Sequence, residues 1–210
     1  MKSLSLNKPL VLIVVGLPGS GKSFFARQFS DTFHAPLVSQ DEIRHVLYSE
    51  PTLTKQEQNI VDSMCLLQAR ELFKTHKTFI VDGHASTKSK RANLRKMAKD
   101  KDFDTLLVWV QTDVATAKYR SMKRSNRKKD DTFNQSLSGM QYEELARSFS
   151  PPTGQEPTIV ISGKHTYATQ ARVVLKKLVA PRANAPQTIV NHSGRTPQGP
   201  SAARRNVIIR

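Results

Sequence analysis

The first ordered feature of the chain is a continuous apolar run, Leu10 to Val15, with no three-to-four spacing. Such a short run predicts a strand buried on both faces, as in a parallel sheet. Similar short runs recur at Pro36 to Ser39, Thr78 to Val81, Thr105 to Val110 and Thr158 to Ile161. Between them the apolar spacing becomes helical. Helices are expected over Lys22 to Phe33, about Thr54 to His76, Lys88 to Lys99, Val114 to Arg127, Ser136 to Phe149 and Tyr167 to Val179. A further helix begins at Asp41-Glu-Ile-Arg44. In the Thr54 segment, Ile60, Met64, Leu67 and Leu72 are placed near one face, and Cys65 on the buried side. Five strands separated by helices predict an α/β fold, a right-handed, doubly wound, mainly parallel five-stranded sheet.

The pattern stops after Val179. Residues 181–210 contain four prolines, five arginines and no acidic residue, and they show no helical period. The division expected is therefore a nucleotide-binding domain over 1–180 and a basic, largely disordered tail over 181–210. A hydrophobic content of 38% over 210 residues agrees with part of the length lying outside a packed core. The tail ends in Asn206-Val-Ile-Ile-Arg210, an apolar close that could add a strand to a partner or simply be exposed. No internal repeat is present.

Charge changes the picture on the outside. There are 33 Lys and Arg against 17 Asp and Glu, a net +16. Such a surface attracts nucleic acid and other polyanions, although soluble proteins without a polyanion partner can share the balance. The single cysteine, Cys65, excludes an internal disulfide, and no Cys/His metal cluster is visible. The lysines before Leu10 superficially mimic a leader, but the apolar run is eight residues long and passes into a glycine-rich loop. No segment approaches the roughly 18 apolar residues of a bilayer span. A soluble, cytoplasmic protein is expected.

The chemistry begins with Gly16-Leu-Pro-Gly-Ser-Gly-Lys-Ser23, a full match to G-x-x-x-x-G-K-[ST] between strand and helix. Glycine lets backbone N–H groups close on phosphate oxygens, and the helix N-terminus adds its partial positive charge. The whole loop, Gly16, Leu17, Pro18, Gly19, Ser20, Gly21, Lys22 and Ser23, is thus expected to hold the nucleotide. Lys22 reaches the β- and γ-phosphates, and the Ser23 hydroxyl is a Mg²⁺ ligand. Phe79 to Gly83 is an apolar strand ending in Asp82, placed to hold the Mg²⁺ shell or to orient another group.

Two further stretches bear on how the triphosphate is used. Asp41 and Arg44 lie three apart at the start of a helix, on one face. Asp41 could take a proton from an attacking hydroxyl while Arg44 places the acceptor; equally, Asp41 could cap the helix and form a surface ion pair. Lys118 to Lys129 holds seven basic residues in twelve, with Arg120, Arg124 and Arg127 at helical spacings. An arginine-bearing lid over ATP is the favoured reading, tipped by Arg124 or Arg127, against a solvated helix end or a nucleic-acid patch. Lys88 to Lys99 reads as a solvated helix face. His84 is a structural hydrogen-bonder or an acceptor-pocket candidate, and Trp109 reads as core.

In the order phosphate loop, SQDEIR, FIVDGH and AKYRSMKR, followed by ELARSFSPPTGQEPTIVI, residues 9–180 resemble the small P-loop kinases grouped as AAA-type ATP-binding proteins. This group includes the phage polynucleotide kinase domain and zeta toxin-like kinases. The resemblance implies ATP and Mg²⁺ binding and phosphoryl transfer to a hydroxyl. It makes Asp41 the catalytic carboxylate, Arg44 an acceptor- or phosphate-contacting residue and Arg124 the lid arginine. The acceptor is a nucleic-acid 5′-hydroxyl or a small molecule, because His84-Ala-Ser-Thr87 departs from the Thr-Asn-rich acceptor loop often found in these kinases. An ATPase or nucleotide-dependent switch acting on nucleic acid or a protein partner is the alternative, and a non-catalytic nucleotide-binding module a third.

Overall fold

Alternate residues of the first strand, β1 (Leu10–Val15), feed two different cores. Val11, Ile13 and Val15 point into one, Leu10, Leu12 and Val14 into the other, and all six are buried. A strand covered on both faces needs this uninterrupted apolar run, and the period of two divides it between the layers. The computed structural model describes residues 8–124, 133 and 135–179. These form β1, α1 (Lys22–Phe33), β2 (Leu37–Ser39), α2 (Gln40–Leu47), α3 (Lys55–Lys74), β3 (Phe79–Asp82), α4 (Lys88–Asp100), β4 (Asp104–Gln111), α5 (Val114–Met122), α6 (Gly139–Ser148), β5 (Thr158–Ser162) and α7 (Tyr167–Val179). The sheet is parallel throughout, in the order β2-β3-β1-β4-β5.

Helices α3 and α4 cover one face of the sheet, and α1 and α7 the other. The buried stripe of α3 is Val61, Cys65, Ala69 and Phe73, a strict i,i+4 row. This corrects the sequence-based face in part. Met64 and Leu72 flank the stripe, whereas Ile60 and Leu67 are 44% and 48% exposed. Small residues at 65 and 69 let the helix approach the sheet closely, and a row of larger ones would hold it off. Burial also pushes the Cys65 thiol up to about 12, which leaves it inert as a nucleophile.

Helix starts follow their caps. Thr54, Thr87 and Asp113 accept from the backbone N–H three residues on, and Ser138 forms a full capping box with Gln141. The Ser138 cap explains why α6 begins at Gly139 and not at Ser136. Helix α5 ends at Met122, short of the predicted Arg127, which lies outside the described residues together with the tail. No helix among the described residues is long and apolar enough to cross a membrane.

One buried ion pair ties the halves of the sheet together. Arg91 of α4 is fully buried, and its Nε and Nη2 donate to the two carboxylate oxygens of Glu156 at 2.9 and 2.8 Å. Its Nη1 donates to the Ser150 carbonyl at 2.8 Å. The basic α4 sequence predicts a solvated face, and most of that face is solvated, but this one arginine turns inward.

Candidate active site at the phosphate loop

Sheet register assembles the site. Val14, Asp82 and Ser39 form one row across β1, β3 and β2, so the chain leaves all three strands at the same edge. The next residues are the phosphate loop, Gly83-His84 and Gln40-Asp41. In the loop, Gly19 has φ 76°, and a Cβ there would lie 2.1 Å from the Ala117 carbonyl of α5. Only glycine lets the loop pass under that helix. Gly163 serves the same packing from β5: an added Cβ would sit 1.8 Å from the Ser20 carbonyl. Thr112 Oγ1 donates to that carbonyl at 3.0 Å, and Arg120 Nη1 donates to the Gly163 carbonyl at 3.1 Å.

Four of the expected site charges meet here. Burial lowers the affinity of Lys22 for its proton, opposed by the negative charges of Asp82 and Asp41 and reinforced by Arg124. Burial likewise raises the Asp82 carboxyl, opposed by Lys22 and by a hydrogen bond from Ser23, while Asp41 raises it further. Both shifts have one origin, the removal of water from two charged groups. Asp82 Oδ1 is buried with no hydrogen-bond partner, an arrangement that costs stability unless a ligand completes it. The orphaned oxygen beside the Ser23 hydroxyl fits Mg²⁺, a hard cation that takes few protein ligands and completes its shell with phosphate oxygens and water. The described residues hold no cluster of three or more metal-binding side chains, as such a site requires none.

Asp41 lies in the first turn of α2, but the cap is Ser39, whose side chain accepts from Glu42 N–H at 3.3 Å. The Asp41 carboxylate is therefore free of the capping duty and accepts from Arg44 Nη1 at 3.1 Å. Arg44 is drawn inward where the sequence reading has it contacting acceptor or phosphate. Its Nε donates to Glu57 at 2.8 Å and its Nη2 to Gln58 at 2.6 Å, so each edge of the guanidinium is occupied by protein. Glu57 is anchored in turn by the backbone N–H groups of Thr52 and Leu53.

Behind Asp41 stands a hub that sequence reading does not find. Asp62 of α3 accepts from Gln40 Nε2 (2.9 Å), Gln58 Nε2 (3.1 Å) and Lys90 Nζ (2.6 Å), and its Oδ1 lies 3.0 Å from His84 Nδ1. Burial opposes its charge, but the hydrogen bonds from His84 and Lys90 outweigh that and hold the carboxyl below its ordinary range. His84 is thus engaged with Asp62. Little in the α3 sequence marks Asp62, because only Gln58 shares its helix and the other three partners, Gln40, His84 and Lys90, come from three other segments.

On the other side, Arg124 follows α5 and donates to the Gln135 carbonyl at 3.3 Å. Gln135 Nε2 in turn donates to the Pro51 carbonyl between α2 and α3, and the Phe133 ring meets His45 of α2 edge-on, 5.5 Å between centroids. Phe133 and Gln135 therefore rest against α2 and the turn that follows it. Arg120 stands over Gly163, and Arg127 lies outside the described residues.

The profile of the AAA domain family matches residues 11–152. Comparison with curated protein sequences finds no match. Among solved structures, the chain is similar to a gluconokinase from Sinorhizobium meliloti 1021, at 19% identity over 81% of this chain and 91% of that one, TM-score 0.58. It is similar to Chaetomium thermophilum Kti12 in complex with ADP-AlF3, at 18% identity over 81% and 100%, TM-score 0.60. The Mycobacterium tuberculosis APS kinase CysC in complex with AMPPNP and APS aligns at 19% identity over 82% and 99%, TM-score 0.60. At these identities the likeness establishes the fold.

Proposed function

The chain belongs to the AAA-domain family, with the fold of the P-loop kinases, and from that premise we propose that it transfers the γ-phosphoryl group of ATP to an acceptor hydroxyl. The observation that carries this reading is the meeting of Asp41, Asp82 and Arg124 around Lys22. A loop that only held a nucleotide would have no use for a carboxylate free of capping duty, held by Arg44 and within electrostatic reach of its lysine.

Backbone N–H groups of Gly19 and of Gly21 to Ser23, at the N-terminus of α1, grip the phosphates, Pro18 having none and Ser20 donating to the Leu17 carbonyl, and Lys22 meets the β- and γ-oxygens. Mg²⁺, held by Ser23 with Asp82 in its shell, would supply charge neutralisation across those oxygens. The acceptor oxygen attacks the γ-phosphorus as the bond to the bridging oxygen of ADP breaks. The hydroxyl proton passes to an Asp41 carboxylate oxygen. Arg44 acts through Asp41, fixing it against Glu57 and Gln58, and the Asp62 hub fixes Gln40 next to it. Arg124, the arginine whose charge reaches Lys22, adds positive charge to the phosphoryl group in flight. The net charge of +16 supports a nucleic-acid 5′-hydroxyl as acceptor, with a small hydroxylated molecule as the other candidate.

The test incubates the protein with γ-labelled ATP, Mg²⁺ and a mixed pool of oligonucleotides and metabolites, then follows the label. Asp41→Asn is expected to lower transfer about 10²- to 10⁴-fold, with ATP binding close to normal. Transfer at the native rate by that variant would remove Asp41 as the base.

A second reading, an ATPase or switch without a phosphorylated product, is favoured by one observation. The side chains adjoining Asp41 already bond to one another, Arg44 with Glu57 and Gln58, and Gln40 with Asp62. Label released only as inorganic phosphate, faster in the presence of RNA or DNA, would establish it.

A further inference from the structure

Helix α4 carries six cations in its first twelve residues, Lys88 to Lys99, and no acid until Asp100. Two of the six are committed to the fold: Arg91 turns inward to Glu156, and Lys90 is held by Asp62 of α3. The other four are not. Lys88, Lys96 and Lys99 are exposed and have no acidic partner among the described residues. Arg95 is 33% exposed and lies 3.8 Å from Glu156, whose two oxygens Arg91 already engages. At about 100° per residue, positions 88, 92, 95 and 99 form one row along a helix. Here the row reads Lys, Ala, Arg, Lys, with Lys96 beside it, and it spans roughly 16 Å. Lys90 stands on the opposite flank, the one that meets α3, so the row faces away from the Asp62 hub.

Stability does not account for this placement. The positive end of a helix dipole favours acids in the first turn, yet α4 has none there and opens on Lys88. In α7, which also lacks an acid, Lys176 and Lys177 stand in the last turn, where the dipole favours them. Nor does the surface suit a bilayer. None of the exposed large apolar side chains among the described residues lies on α4, and a membrane-surface helix sets such anchors opposite its cations. Beyond residues 149–151, which Arg91 grips through the Ser150 carbonyl, a cleft of about 680 Å³ opens at the carboxyl ends of β4 and β5. Trp109 and Val160 floor it, Phe149 and Pro151 wall it, and its one cation, Lys164, is paired with Asp113 at 2.6 Å. The unanswered charge lies on the helix and not in the cleft. A line of cations on a polar helix is the complement of a line of phosphates.

We propose that the Lys88, Arg95 and Lys99 row of α4, with Lys96, is a track for the phosphate backbone of a single-stranded nucleic acid. One row of cations meets one strand, and such contacts hold a strand without reading its bases. Lys88 opens α4 six residues after Asp82, at the sheet edge that carries the phosphate loop, and Lys99 lies at the far end of the helix. A strand on the row therefore runs toward Lys22 and Asp41. That its terminal hydroxyl is the acceptor rests on the transfer reading above; the binding does not.

The test measures anisotropy of a labelled single-stranded oligonucleotide of about 12 nucleotides, with the full chain, without ATP, between about 50 and 200 mM salt. Lys88→Gln/Lys96→Gln/Lys99→Gln removes three phosphate contacts. It should make the slope of log K against log salt shallower by about 2 and weaken low-salt binding roughly tenfold or more, alike for several base sequences. Arg172→Gln/Lys176→Gln/Lys177→Gln, on α7 across the sheet, removes the same charge and should keep most of the native slope. Circular dichroism checks that each variant is folded. Equal slopes for the native chain and the α4 variant would overturn the proposal, as would an equal loss in the α7 variant, which would assign binding to net charge alone. So would a native chain that does not bind the oligonucleotide at 50 mM salt. Phosphatidylserine vesicles that bind the native chain and not the α4 variant, with oligonucleotide slopes unchanged, would assign the row to a membrane and overturn it equally. Binding with the expected slopes but no label passed from γ-labelled ATP to the oligonucleotide would sustain the track and remove the acceptor.

Discussion

The two flanks of the phosphate loop are built on opposite principles. On the β2–β3 side, Arg44, Glu57, Gln58, Gln40, Asp62, His84 and Lys90 form a network in which each side chain answers another. On the β4–β5 side, the carboxyl ends of the strands face an open apolar cleft, and the polar contacts are mostly to backbone, with a half-exposed Lys164–Asp113 ion pair at the rim. Polar networks hold a group in one geometry, since each lost bond leaves a desolvated partner behind. Apolar clefts set no such geometry and admit whatever fills them. The flank with Asp41 is therefore made for placement, and the flank with Trp109 for occupation.

The most disruptive way to break this contrast is at the join between the flanks. Glu156→Gln strands Arg91 as a buried charge and should cost about 3–5 kcal/mol in urea unfolding, whereas replacing both residues with methionine should recover most of that loss. If Glu156→Gln were neutral, the flanks would not share a core. Next in size is Gly163→Ala. Its methyl would collide with the Ser20 carbonyl and Thr112 Oγ1, and relieving that should cost about 2 kcal/mol. It should also weaken ATP binding measurably in calorimetry, because the phosphate loop is what must move. An unchanged affinity would mean that the cleft side does not support the loop.

The finest test concerns Asp62. Its folded carboxyl lies below its unfolded value near 4. The stability it contributes is therefore complete above that value and lost as the pH falls through the lowered native one. Asp62→Asn should cost about 1–2 kcal/mol at pH 7 and flatten the acid side of the stability curve, with the two proteins converging at low pH. Parallel acid limbs for native and variant would show that the hub carries no charge-dependent stability. The same variant should slow transfer by less than Asp41→Asn does, since it acts at one remove.

How much of this was legible in the sequence depends on how far apart the partners lie. The strands, the helix starts near Thr54 and at Val114, and the phosphate loop are local patterns, and the observed elements follow them within a few residues. Asp82 is also read correctly to the edge of the sheet, because an apolar strand ending in an acid needs no distant information. Arg44 is not. Its inward turn depends on Glu57, thirteen residues on, and a charged pair in the opening turn of a helix looks the same whether exposed or buried. Ile60 and Leu67 fail for a different reason: the stripe against the sheet is chosen by the small residues at 65 and 69, which a count of large apolar positions ignores.

The Arg91–Glu156 pair bears on where this protein can be cut. The stretch common to the family ends at residue 152, four residues before the carboxylate that answers the most deeply buried arginine of the fold. A chain trimmed to that stretch would lose β5 and leave a guanidinium with only carbonyl oxygens in the interior. The same holds for a chain still leaving the ribosome. Until residue 156 has emerged, α4 cannot close on the sheet without burying an unanswered charge, so the last strand is a condition for the core and not an addition to it.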